Sequence, residues 1–416
     1  MIRYTRQVLM FAMLSAVSSA YGMNALKPHY FPWKPLYRNI PYSLQLGFYF
    51  EKGIGPCKIY GEEENSTNAM QIYNLQQDAI AMLAGFAPDT PAGKIGIPIE
   101  WDNGIRGHFC PTGKFEYDFG AAFSARYTFP YNISLAAYLP VYKMRLHDVC
   151  WNNLTPNVTD QDIIVRERLT NNFVCNVYEL GCGLDILGWE RSGPGDLVFM
   201  FEWMRAFPQG KQLLKIVDLD GRVGLSLPTG LKQDQDHVLA IPFGADGAVG
   251  VIFAGGLRVT LSDAFRAGFD IELDHFFDNT RTRRIKTYRN QTDLLFLQQA
   301  KAHIDWGMTQ QFNLYVDIIK IWQGLSLKVD YQFIKHGDNE ISVFGNCFSS
   351  ILANTAVSLQ DYTMHNIIAS ISYDFGRHVA PETRCKPYLM LFGKLPFNGK
   401  RSIQATTVGA ILSIDF

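Results

Sequence analysis

Charge is scarce in this chain and leans to neither sign. Asp, Glu, Lys and Arg make up 19% of its 416 residues, 38 basic against 39 acidic, where soluble domains carry roughly 25%. That balance excludes a nucleic-acid binder, which needs a basic surplus gathered on one face. Long apolar runs are missing as well. Beyond residue 25 no uncharged stretch reaches the ~18 apolar residues of a spanning helix. No CxxC, HExxH or regular Cys/His spacing offers a metal site, so neither metal nor cofactor is expected. No GxSxG is present, since Gly224-Leu225-Ser226-Leu227-Pro228 fails at its last position. The histidines lack a neighbouring Ser or Asp arrangement that would activate a nucleophile, and an enzyme is not expected.

Aromatic residues are abundant instead, at 13% with 20 Tyr and 29 Phe, and the mean hydropathy is only −0.04. The apolar residues fall at a period of two. Phe115, Tyr117, Phe119, Ala121, Phe123, Ala125, Tyr127 and Phe129 alternate with Glu116, Asp118, Gly120, Ala122, Ser124, Arg126 and Thr128. The same alternation runs through 217–227, 265–274, 325–333 and 367–375. One face of each strand is apolar and aromatic, and the other carries charge and small residues. A soluble β-sandwich also alternates, but strands of ten or more residues exceed its usual five or six. They match the ~9–11 tilted residues that cross a bilayer. Apolar-out, polar-in strands with aromatic girdles describe a transmembrane antiparallel β-barrel.

Residues 1–22 read as a secretory signal peptide: Arg3 and Arg6 precede an apolar core at 8–17, and Ser18-Ser19-Ala20 offers a cleavage site. Residues 23–416 then form one all-β barrel domain. At the other end, Phe416, Ile414 and Leu412 share the apolar face of an alternating strand. A terminal Phe after such a run resembles the signal read by the bacterial barrel-assembly machinery. The expected location is the bacterial outer membrane, with its lipids and lipopolysaccharide as surroundings, and a monomer is the expected state.

In such barrels the periplasmic turns are short and the outer loops long. Fourteen strands satisfy this alternation, at 42–51, 114–129, 131–145, 161–171, 173–188, 196–207, 212–228, 247–261, 264–277, 309–321, 325–336, 366–376, 386–393 and 403–416. Removing 161–171 alone breaks the alternation; twelve strands result if a second weak strand, such as 386–393, is also absent. The segments 52–113, 278–308 and 337–365 become long outer loops. Within them 68–86, 294–302 and 348–360 have helical spacing and predict short helices. Arg281, Arg283, Arg284, Lys286 and Arg289 form a basic run in the second long loop, suited to a solvated flank or to lipopolysaccharide phosphate. Seven cysteines cannot all pair. Cys57 and Cys110 bracket one loop and are the candidate disulfide, while Cys182 is expected to be a buried thiol.

The alternation assigns Glu116, Asp118, Arg126, Asp218, Asp220, Arg222, Arg258, Arg266, Asp270, Glu272, Asp274, Lys328 and Asp330 to the lumen. They could set the selectivity of a polar channel or brace a narrow interior as paired charges.

Residues 193–276 carry Gly195-Asp196-Leu197 at one strand start, Gly224-Leu225-Ser226-Leu227-Pro228-Thr229-Gly230 further on, and a Gly-rich strand at 247–261. This stretch resembles the outer-membrane barrels associated with phenol meta-pathway degradation, which are distantly similar to fatty-acid and toluene transporters. The resemblance implies structural corners at these motifs and a passive channel or transporter for small, hydrophobic or aromatic solutes. The alternatives are a general diffusion pore, a non-transporting structural or adhesive surface barrel, and a barrel enzyme.

Overall fold

The computed structural model describes residues 41–416 apart from 62–64, 98, 100–105, 156–157, 323, 346 and 378–384. The expected signal segment 1–22 lies outside the described residues. The main sheet has 14 strands, of which the short 77–78 and 189–194 segments only flank it. The remaining twelve form a closed barrel: β1 (Leu44–Gly53), β2 (His108–Phe129), β3 (Ile133–Asn153), β4 (Leu197–Pro208), β5 (Ile216–Leu227), β6 (Gly250–Thr260), β7 (Phe265–Phe276), β8 (Thr309–Trp322), β9 (Leu325–His336), β10 (Tyr362–Asp374), β11 (Lys386–Lys400) and β12 (Thr407–Asp415). Each strand pairs antiparallel with its chain neighbours, and β12 returns to β1 through Gln45↔Asp415 to Gly53↔Thr407. Closure leaves no edge strand, which hydrocarbon would not tolerate.

Side chains sort by the pleat. On β8, Phe312, Leu314, Val316 and Ile318 are exposed outward while Gln311, Asn313, Tyr315 and Asp317 are buried inward. Tyr42, Tyr131 and Trp322 stand fully outward at the short-turn end, where amphipathic rings suit the lipid–water border. The short turns fall as expected at Pro130–Asn132 and around Ser262, whose Oγ accepts from the Phe265 N–H at 3.1 Å. The start of β1, the end of β12 and the short turns share one end, the periplasmic one by the barrel rule. Phe416, Leu412 and the half-buried Ile414 face outward on the last strand.

The two strands expected at 161–171 and 173–188 are not strands. Thr159 caps a helix at Asp160–Val165, accepting from the Asp162 N–H at 3.2 Å while the Asp162 carboxylate accepts from the Thr159 N–H at 2.9 Å. A second helix follows at Phe173–Leu180. Because both expected strands go together, the alternation of long and short connections survives and the lower count of twelve holds. The 386–393 strand is present and longer than expected. The helix expected at 68–86 reduces to single 3-10 turns at Ala69–Gln71 and Ala81–Leu83. That at 294–302 is a turn followed by a strand, Gln299–Asp305. That at 348–360 is two short pieces, Ser350–Ala353 and Val357–Leu359.

The lipid-facing row of β8 gives a direct test. Leu314→Arg, mid-strand and outward, should destabilise the barrel by about 2–4 kcal/mol in urea unfolding from lipid vesicles, falling toward zero near the interfaces. Leu213→Arg, in the exposed turn before β5, should leave the unfolding midpoint nearly unchanged.

Candidate functional site

Ten of the thirteen expected lumen residues lie on β5, β6, β7 and β9, and the other three, Glu116, Asp118 and Arg126, on β2. Register pairs them. Arg258 stands opposite Asp218, 3.6 Å away. Arg222 lies opposite Glu202 and 3.4 Å from Asp220. Arg266 closes on Asp317 of β8, and Lys328 on Asp330 two residues along its own strand. Arg126 is the best-held cation: Nε meets Glu202 at 2.7 Å, and Nη1 donates to Gln45 at 2.8 Å. Gln45 in turn donates to Asp415 at 2.8 Å. Asp270, Glu272 and Asp274 share the inner face of β7. A Cβ at Gly256 would fall on Asp270 Oδ1, so glycine there lets the carboxylate lie across β6.

Glu116 and Asp118 do not line the lumen. The β2–β3 register slips between Tyr117 and Phe119, leaving Asp118 as the extra residue of a β-bulge. One inserted residue exchanges the faces beyond it. Phe115 and Tyr117 are therefore buried inward, with the Tyr117 hydroxyl donating to Glu51 at 2.6 Å. Glu116 and Asp118 turn outside and pair with Arg145 and Lys143 of β3.

Composition on the inner face decides what the lumen can do. Asp270, Glu272, Asp330, Gln332 and Asn366 are each 6% exposed or less, although a wide aqueous pore would wet them. Tyr49, Tyr388, Met390, Phe392 and Ile411 pack together in the same interior. The barrel is thus filled by its own side chains, and buried charge is tolerated because it is paired. Glu202, Asp317, Tyr138, Glu51 and Lys394 belong to this network but were not singled out from the sequence. Alternation on β8 and on Val198, Met200 and Glu202 of β4 carried the signal.

Over the mouth the outer loops share one hydrophobic core. Val165, Leu169, Phe173 and Val177, at four-residue spacing, pack with Met70, Leu83, Val238, Leu294 and Ile403 from other loops. Phe173 stacks on Phe109 with centroids 3.9 Å apart. The GDL and LPTG residues form a corner at the rim. Asp196 accepts from Gly230 N at 2.9 Å and Ala245 N at 2.6 Å, and Thr229 Oγ1 accepts from Leu197 N at 2.9 Å. The basic run is neither a solvated flank nor open to lipopolysaccharide. Arg281 and Arg283 converge on buried Asp246, and Arg284 donates to the carbonyls of Gly181 and Leu297 at 2.9 and 3.1 Å. Lys286 is buried, and of the five only Arg289 is exposed.

Within the cap lies a cavity of about 170 Å³, lined by Ile72, Leu184, Val238, Leu294, Phe296 and Leu359 among others. A cavity of about 150 Å³ has room for benzene, and here the apolar walls meet polar ones, among them Asp234, His237, Arg284, Lys286 and Asp293. Gln233, Asp234 and Gln235 line both this cavity and an open outer groove that also runs over Arg191, Lys232 and Arg281. Among the described residues no cluster of three or more His, Cys, Asp or Glu could hold a metal. His303 lies 2.8 Å from Asp278 and 3.1 Å from the Thr280 hydroxyl, but none of the three lines the cavity or the groove.

All seven cysteines are free thiols. The Cys57 N–H donates to Phe115 O at 2.8 Å, and Cys110 lies five residues further along β2. That is roughly 16 Å at the rise of a strand, beyond the ~7 Å a disulfide allows. Cys182 is exposed after the 173–180 helix rather than buried. Burial pushes the Cys57 thiol up to about 12.

A closed meander of twelve antiparallel strands, apolar outside and polar inside, defines a transmembrane β-barrel of the outer-membrane type. No known protein-family profile matches the chain, and no curated protein matches it in sequence. Solved structures similar to it are outer-membrane proteins. An outer-membrane channel from Pseudomonas putida F1 is 10% identical over 91% of this chain and 96% of that one, with a TM-score of 0.47. A FadL homologue of Pseudomonas aeruginosa is 8% identical over 95% and 99%, at 0.29. The monoaromatic hydrocarbon channel TodX, as a deletion mutant, is 10% identical over 96% of each, at 0.32. At scores this low the likeness carries no argument about what this chain does.

Two substitution and labelling experiments check the site. Arg126→Met removes the ion-pair partner of buried Glu202 and should cost up to about 3–5 kcal/mol of barrel stability, read from the urea midpoint. Cys57 should resist maleimide at pH 8 in the folded protein and react only on unfolding, whereas exposed Cys175 labels at once.

Proposed function

We propose that the chain is a passive outer-membrane channel for small hydrophobic or aromatic solutes, captured one at a time in the cap cavity. The observation that carries this reading is the pairing of a mostly apolar cavity with room for a single ring with a lumen whose polar groups are buried. A general diffusion pore needs the reverse, an open wet lumen. The groove shared through Gln233–Gln235 offers the approach from solution, and passage inward then requires side chains to part transiently. Transport follows the solute gradient. The lumen charges brace the barrel first and set selectivity only when it opens. The outward Leu412, Ile414 and Phe416 are the proposed recognition strip for assembly, and lipopolysaccharide is the proposed outer-leaflet neighbour of a monomeric barrel. No chemistry on the solute is part of this reading.

Proteoliposomes test it. Labelled toluene should enter protein-containing vesicles at a rate that saturates with concentration, while arabinose-driven swelling stays near the protein-free rate. Fast swelling, or toluene entry no faster than through bare lipid, would overturn the proposal.

A further inference from the structure

The polarity of the barrel wall inverts part-way along β2 and β3. Near their short turn the outward side chains are apolar, Phe119, Phe123 and Tyr127 on β2 beside Leu135, Leu139 and Val141 on β3. Each apolar stretch is about ten residues long, the length that crosses a bilayer at a tilt. Beyond the Asp118 bulge the outward row becomes Glu116 and Lys114, opposite Arg145 and His147. The inward row changes the other way, from Arg126 and Ser134 to Phe115, Tyr117, Met144 and Leu146, which join the cap core. A wall apolar outside and polar inside fits hydrocarbon, and the reverse fits water. Other strands carry the same border. On β1 the outward row Leu46, Phe48, Phe50 ends at Lys52, which stands opposite Phe119, itself opposite Lys143. Further round, Phe333 lies 6.3 Å from Phe312 and 4.8 Å from His365 between ring centroids, an outward aromatic cluster. Lys335 stands one outward step beyond it. Lys143 meets Glu190 at 2.6 Å, whereas Lys52 and Lys335 are exposed with no ion-pair partner among the described residues.

We infer that the outer border of the hydrocarbon runs through the Asp118 bulge, and that Lys52 and Lys335 hold lipid phosphates of the outer leaflet there. This rests on lipopolysaccharide being the outer-leaflet neighbour proposed above and is independent of the cap cavity. An outward charge is costly at mid-bilayer and tolerated at the interface, and a lysine at that level is drawn to anionic head groups. Beyond the border β2 and β3 leave the membrane as a water-facing wall that backs the cap. The bulge makes this possible on β2, because without the extra residue Phe115 and Tyr117 would point outward and Glu116 into the cap core.

Two measurements on the purified protein test this. In nanodiscs, which leave both membrane faces open to reagent, a charged maleimide is applied and each site is read by peptide mass spectrometry. Native Cys150, exposed on β3 beyond the border, and an Arg145→Cys thiol should label readily. Phe123→Cys and Leu139→Cys, below the border, should label at least about tenfold more slowly. Protection of Cys150, which needs no variant, or ready labelling at 123 and 139 overturns the border. In detergent, lipid A should bind more tightly than its dephosphorylated form, and Lys52→Gln and Lys335→Gln should each weaken lipid A about fivefold without affecting the dephosphorylated lipid. Equal binding of the two lipids, or unchanged binding by both variants, overturns the phosphate contacts and leaves lipopolysaccharide as the neighbour. Failure of the wild-type protein to bind either lipid overturns that neighbour, and the phosphate contacts with it.

Discussion

Hydrocarbon offers no partner to a backbone N–H or C=O, and that one constraint organises the molecule. Among the described residues no helix is long and apolar enough to cross a membrane, and the chain satisfies its backbone by closing twelve strands on themselves, ending with the Gln45–Asp415 register of β1 and β12. Closure fixes the rest. Alternate side chains must meet lipid, so aromatics and aliphatics go outward; the others must share one narrow interior. Near-equal numbers of acidic and basic residues then follow from geometry, because cross-strand neighbours such as Asp218 and Arg258, or Asp317 and Arg266, need each other.

The same constraint explains why the outer end is elaborate. Loops released from the barrel still carry apolar residues, and they bury them against one another over the mouth. The arginines of the second long loop serve this cap. Asp246 gathers Arg281 and Arg283, and Arg284 ties the Gly181 carbonyl of another loop to that of Leu297 in its own. A cavity inside such a cap is what loop packing leaves when apolar side chains from several loops meet around a polar end.

Much of this is legible in the amino-acid sequence because the period-two signal is strong wherever both faces differ. Strands such as Leu325–His336 and Phe265–Phe276 could be placed nearly to the residue. Two failures have physical causes. Between 161 and 188 a short alternating pattern coexists with Val165, Leu169, Phe173 and Val177 at helical spacing, and the Thr159–Asp162 capping box decides for helix. At Asp118 a single bulged residue moves Glu116 from the inner to the outer face, and only pairing with β3 reveals it. The cap was not legible at all, since its core joins residues hundreds of positions apart.

The lumen is filled by its own paired side chains and is not an open pore. Single-channel recording of the purified protein in planar bilayers at neutral pH tests it most directly. A membrane that stays electrically quiet, with at most brief irregular openings, is the predicted result; steady ohmic steps of a water-filled pore would contradict it.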